Sequence, residues 1–109
     1  MKGWGVKLNQ ALINYGLAFL EKNGYTQIQT PYFMKKELMG RTCQLSDFDE
    51  SLYKVSSEGK ADEDDGKEDK YMIATSEQPI SAFYHKEWLY PKDLPIKFAG
   101  YSTNFRKEV

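Results

Sequence analysis

From Val6 to Lys22 apolar residues recur at Leu8, Ala11, Leu12, Tyr15, Ala18 and Phe19, the three-and-four spacing of a helix with a buried stripe. Ile13, Leu17 and Leu20 fill much of the other side. An arc this wide predicts two partners, the domain core on one side and another subunit on the other. Asn23-Gly24 should close the helix, because both residues tolerate the left-handed conformation of a helix end. Tyr25 to Thr30 is then rich in strand formers and is stopped by Pro31, which cannot donate to a sheet ladder.

The pattern beyond Pro31 predicts shorter pieces. Met34 to Met39 reads as a short helix, Leu45 to Phe48 as an irregular segment with Ser46-Asp47 as its cap, and Leu52 to Val55 as a short strand. Glu58 to Lys70 is acidic, with two glycines and almost no apolar residue, and predicts a solvated loop. Asp65-Gly66 resembles the middle of a calcium-binding loop, but the flanking ligand positions fall on Ala61 and Met72, so no calcium site is expected. Tyr71 to Ala74 is a buried-type strand. A helix is expected from about Gln78 to Leu89, capped by Ser76 or Thr75, with Pro79 just inside its start. Pro91 and Pro95 bracket a connector, and Ile96 to Glu108 reads as one long alternating strand.

Composition narrows the class. At 109 residues, with 40% hydrophobic and 15% aromatic content, the chain can build one modest core and is not a disordered polypeptide. No apolar run approaches the ~20 residues that cross a bilayer, and no charged stretch feeds an apolar N-terminal core, so a cytoplasmic location is expected. Cys43 is alone, which rules out an intrachain disulfide and a cysteine-rich zinc site. A net charge of −1 argues against a nucleic-acid surface within these residues.

Two short segments carry the candidate chemistry. On the last predicted strand Ser102, Asn104, Arg106 and Glu108 share a face, with Phe105 and Lys107 on the other. The Arg106 guanidinium is a planar fork able to grip a carboxylate and a phosphate oxygen together; its ordinary alternative is a surface ion pair. Glu77 stands at a strand-to-helix junction, where a carboxylate can receive an ammonium or simply complement the helix dipole. His85, the sole histidine, has no companion ligands for a metal site, and no glycine-rich phosphate loop is present.

In order and wording these segments resemble the class II aminoacyl-tRNA synthetases. The first helix followed by Gly24-Tyr25-Thr26-Gln27-Ile28-Gln29-Thr30-Pro31 is similar to their first signature, and Phe105-Arg106-Lys107-Glu108 to their second. Thr75-Ser76-Glu77, Gln44 to Asp49 and Leu52 to Val55 resemble the serine-specific branch in its eukaryotic cytosolic form. The resemblance implies an α+β fold, an antiparallel sheet flanked by helices, being the first portion of a class II catalytic domain across residues 1–109.

It further implies activation of serine with ATP and Mg²⁺ to seryl-adenylate, then transfer to tRNA. Arg106 would bridge the α-phosphate of ATP and the serine carboxylate, Glu77 would take the serine ammonium, Thr75 would line the amino-acid pocket, and Glu108 would help position nucleotide or substrate. Pro31 and the first helix would belong to a homodimer interface. The return strand of the second signature, the third signature and the tRNA-gripping arm of the family have no counterpart in this sequence. The resemblance therefore predicts an unpaired last strand and an isolated chain without activity. The alternative is a non-catalytic dimerisation or binding module derived from such an enzyme, and a threonine or proline synthetase is disfavoured by the wording at Thr75 to Pro79.

Overall fold

The computed structural model describes residues 1–55 and 69–108. Most of the acidic stretch expected to form a loop, Glu58 to Lys70, thus lies outside the described residues. The order among the described residues is α1 (Trp4–Lys22), β1 (Thr26–Gln29), β2 (Phe33–Lys35), α2 (Lys36–Met39), α3 (Leu45–Glu50), β3 (Lys54–Val55), β4 (Lys70–Met72), α4 (Glu77–Ala82), a 3-10 turn at Pro91–Asp93, and β5 (Phe98–Tyr101). The architecture is α+β, and the chain divides into two compact units.

The first unit comprises Met1–Ile28 and Leu89–Ala99. Its long helix ends as the sequence predicts: Gly24 sits at φ 84°, the Gly24 N–H returns to the Glu21 carbonyl, and the Tyr25 N–H returns to Leu20. These two bonds satisfy carbonyls that a helix end otherwise leaves open, and a residue without Cβ adopts the required φ at no steric cost. The burial of the helix departs from expectation. No α1 residue is fully buried; Ile13, Leu17 and Leu20 are half-buried, whereas Leu8, Leu12, Tyr15 and Phe19 are exposed. The periodic stripe is thus the uncovered side and the secondary set is the inward one. β1 and β5 pair into a two-stranded sheet, and the Thr26 N–H at the start of β1 donates at 2.9 Å to the carbonyl of Lys97, the residue before β5.

The second unit comprises Gln29–Trp88 and Gly100–Val109. Its sheet has the order β2-β4-β3, all antiparallel, with Met34 opposite Tyr71 and Lys54 also opposite Tyr71. Met34, Met39, Phe48, Leu52, Tyr71, Ile73 and Ala74 form the core. Phe48 meets Tyr71 edge-on at 4.8 Å, a contact that adds about 0.5–1.5 kcal/mol to simple burial. Lys54 Nζ bonds Asp69 Oδ2 at 2.9 Å beside the β3–β4 pair.

Four expectations require correction. Met34 lies in a strand, not a helix, because pairing with β4 claims residues 33–35 and leaves only Lys36–Met39 for the helical turn. The segment expected to be irregular is helix α3 with Gln44 at the cap position; of the expected Ser46-Asp47 pair only Asp47 serves the helix start, its Oδ2 accepting the Gln44 N–H at 3.1 Å. The helix expected to reach Leu89 stops at Ala82; i→i−3 bonds tighten the chain at Phe83 and His85, and Lys86 takes φ 64°. The last strand is β5 alone, and the segment after it is held by single hydrogen bonds to other elements.

Candidate active site

The candidate site is built where β4 leaves the sheet. Ile73, fully buried, donates its N–H to Tyr32 at 2.8 Å, the residue opposite it in the register. In a continued antiparallel ladder its carbonyl would accept from Tyr32; here it accepts from the Phe105 N–H at 2.8 Å. Two residues on, the Lys107 N–H donates to Ser51 at 2.9 Å, and Lys107 Nζ reaches the Asp49 carbonyl. The Phe105 ring packs edge-on against Tyr32, and the Lys107 ammonium lies 5.8 Å from the Tyr53 ring centre. The C-terminal segment is therefore not the unpaired strand that was expected: alternate N–H groups are anchored to the unit.

Arg106, between the two anchors, turns to Ala74 instead. Its Nη2 donates to the Ala74 carbonyl at 3.4 Å, a long bond that keeps the guanidinium near without locking it. The Ala74 N–H donates to the Gln78 side-chain Oε1 at 2.9 Å. Both polar groups of Ala74 are thus occupied, one by Gln78 and one by Arg106, at the point where the chain turns into α4.

The turn itself is Thr75-Ser76-Glu77. Thr75 is half-buried, and its Oγ1 accepts the Glu77 N–H at 3.4 Å. Ser76 holds the cap position without a side-chain cap bond, so of the two expected caps only Thr75 contributes. Glu77 is exposed at the first position of α4. Among the described residues neither Glu77 nor Glu108 forms an ion pair, so the ordinary surface pairing of Arg106 with Glu108 is not formed. The arrangement leaves a free carboxylate on the turn and a guanidinium at its base. A zwitterion fits such a pair chemically, its ammonium toward the carboxylate and its carboxylate toward the guanidinium.

The structure brings Arg106 to the Thr75–Glu77 turn through Ala74. Glu108 follows, exposed. Pro31 is exposed just after β1 and shares no hydrogen bond with these residues. His85 is half-buried. Two participants escaped sequence reasoning. Gln78 looked like an ordinary first-turn residue but is only 7% exposed. Gly100 was one glycine in a strand, yet a Cβ there would lie 2.7 Å from Ser76 Oγ and 2.8 Å from Ile80 Cδ1. A glycine inside a strand often marks such a close approach, and that signal was available.

Residues 53–109, slightly more than half of the chain, match the family described as the tRNA synthetase class II core domain (G, H, P, S and T). The chain belongs to that class II core family. Its catalogued relatives agree: it is 56% identical over 108 residues to the serine--tRNA ligase of Helianthus annuus, covering 99% of this chain and 23% of the relative. It is 58% identical over 110 residues to the cytoplasmic serine--tRNA ligase of Rattus norvegicus, covering 100% and 22%. The crystal structure of the cytoplasmic serine-tRNA ligase from Naegleria fowleri in complex with AMP superposes with TM-score 0.85 at 51% identity, over 97% of this chain and 23% of that one. The seryl-tRNA synthetase from Pyrococcus horikoshii complexed with ATP gives TM-score 0.76 at 31% identity, over 94% and 21%. The chain thus spans between a fifth and a quarter of the length of these class II relatives. No described helix is long and apolar enough to cross a membrane.

Proposed function

We propose that this chain supplies the part of a cytoplasmic serine–tRNA ligase that receives serine and the α-phosphate of ATP. The observation that carries the reading is the Arg106–Ala74 bond, which keeps an arginine with otherwise exposed donors at the base of a turn bearing an unpaired Glu77. Glu77 takes the serine ammonium, Thr75 lines the amino-acid pocket, and Arg106 bridges the serine carboxylate and the α-phosphate. Glu108 helps position the nucleotide or the substrate. A serine carboxylate oxygen then attacks the α-phosphorus and pyrophosphate leaves, giving seryl-adenylate for transfer to tRNA. The chain's residues contribute alignment of two anions and neutralisation of charge rather than proton transfer.

Mg²⁺ fits this site only in company with the nucleotide. Among the described residues no group of three His, Cys, Asp or Glu side chains could hold a metal, and Mg²⁺ commonly binds through one or two carboxylates plus phosphate oxygens. It would supply further charge neutralisation at the phosphates.

The test is amino-acid-dependent ATP–pyrophosphate exchange. Serine-stimulated exchange by the full-length protein that carries this chain, with no exchange by residues 1–109 alone, is the expected result. Near-equal rates for the two would show that Arg106, Glu77 and Glu108 suffice without further residues and would overturn the division of labour.

A second reading rests on α1. Its exposed Leu8, Leu12, Tyr15 and Phe19 form an apolar side. These suit a homodimer contact, so the chain could act as a dimerisation module without catalysis. Sedimentation showing a stable dimer that binds neither serine nor ATP would favour this reading; a monomer would count against it.

A further inference from the structure

We infer that Gln78 is a positioning residue for serine recognition, setting the Thr75–Glu77 turn relative to Arg106 through the Ala74 peptide groups. This inference rests on the functional reading above. Gln78 is a polar side chain, 7% exposed, in the first turn of α4, beside the buried Pro79. Buried amides persist only where they are hydrogen-bonded, and the Oε1 bond here is to the Ala74 N–H, at 2.9 Å in a buried setting.

That bond closes the chain from Ala74 to Gln78 around Thr75, Ser76 and Glu77, where the Gln78 N–H also donates to the Thr75 carbonyl at 3.3 Å and the Ile80 N–H to the Ser76 carbonyl at 3.2 Å. Within it, the one side-chain bond to Glu77 is the long Thr75 contact to its N–H, and no ion pair among the described residues fixes its carboxylate. The direction of Glu77 is therefore set by the backbone ends of the turn. One end is the Ala74 peptide, whose N–H is held by Gln78 and whose preceding residue is pinned on both sides by Tyr32 and Phe105. The Ala74 carbonyl receives Arg106. Gln78 thus holds the Ile73–Ala74 peptide, and the next peptide, at the start of the turn that carries Glu77, presents the carbonyl that receives Arg106. Neither Gln78 atom needs to touch substrate.

Removal of the acceptor leaves a buried N–H without a partner, which the turn can relieve only by shifting to admit water. Glu77 moves with the turn, while Arg106, whose segment is also anchored away from the turn by the Lys107 N–H bond to Ser51, moves less. Serine binding should suffer more than ATP binding.

The experiment uses the full-length protein that carries this chain, with Gln78→Met, which keeps length and volume but offers only a weakly accepting sulfur, and Gln78→Glu, which restores an oxygen acceptor. Serine KM should rise about tenfold in Gln78→Met, ATP KM should stay within about twofold, and Gln78→Glu should recover most of the serine effect; tenfold corresponds to ~1.4 kcal/mol. Hydrogen exchange at the Ala74 amide is read on the same samples. It should quicken about tenfold in Gln78→Met with Ile73 unchanged, and this readout decides the tether whichever amino acid the protein activates. Unchanged Ala74 exchange, or serine and ATP KM rising together, overturns the inference. Activation of another amino acid, with Ala74 exchange still dependent on Gln78, overturns the serine reading and leaves the tether standing.

Discussion

Replacement of Gly100 by alanine should destabilise the second unit, and the sign of the effect is the informative part. The backbone there is not in the left-handed region, so alanine is conformationally acceptable. In open space the change would stabilise by about 0.4–1 kcal/mol through a less flexible unfolded chain. The added methyl would instead sit 2.7 Å from Ser76 Oγ, 2.8 Å from Ile80 Cδ1 and 2.9 Å from Ser76 Cβ. The last of these is next to backbone and cannot swing away. Overpacking of this kind costs about 1–3 kcal/mol, larger than the entropic gain. The urea midpoint should therefore fall, with a net loss of about 1–2 kcal/mol combining those two effects. The double variant with Ser76→Gly, which removes two of the three clashing atoms, should recover part of it. Equal or greater stability for Gly100→Ala would refute the claim that β5 presses on the turn into α4.

Other changes give contrasting outcomes. Gly16→Ala lies inside α1 with nothing within 4 Å of the added carbon and should stabilise by about 0.5–1 kcal/mol, read from the thermal midpoint. Leu52→Ala, at 1% exposure in the core, should cost about 2–5 kcal/mol in urea unfolding. The Cys43 thiol is pushed above its ordinary 9.0, first by burial and then by Asp47, and its Sγ lies 3.2 Å from the Met39 carbonyl. Alkylation by iodoacetamide near neutral pH should be slower than for a free thiol and should accelerate in denaturant; equal rates would refute the protection.

What the sequence revealed depended on how local the determinant is. The end of α1 was legible because Asn23-Gly24 settles it within a few residues, and the β1 boundary because Pro31 lacks a donor. Met34 was misread because an apolar residue between short elements obeys either period, and only the distant partner Tyr71 decides. Which side of α1 meets its own unit was not legible for a related reason: periodicity locates an apolar face but does not say what covers it. At the site, Arg106 and Glu77 stood out as residue types. Their connection through Ala74 did not, because it runs through backbone groups that have no signature. Gln78 was hidden for the same reason, since its role is visible only once its Oε1 is seen on the Ala74 N–H.

The account stands most directly on Arg106. ATP–pyrophosphate exchange should be measured on the full-length protein that carries this chain, with a panel of amino acids and with Arg106→Lys beside the unaltered protein. Serine alone should stimulate exchange, and Arg106→Lys should reduce it by roughly 10²-fold, the scale seen when a donor to developing charge is lost. Stimulation by threonine or proline equal to that by serine, or an Arg106→Lys protein as active as the parent, would contradict it.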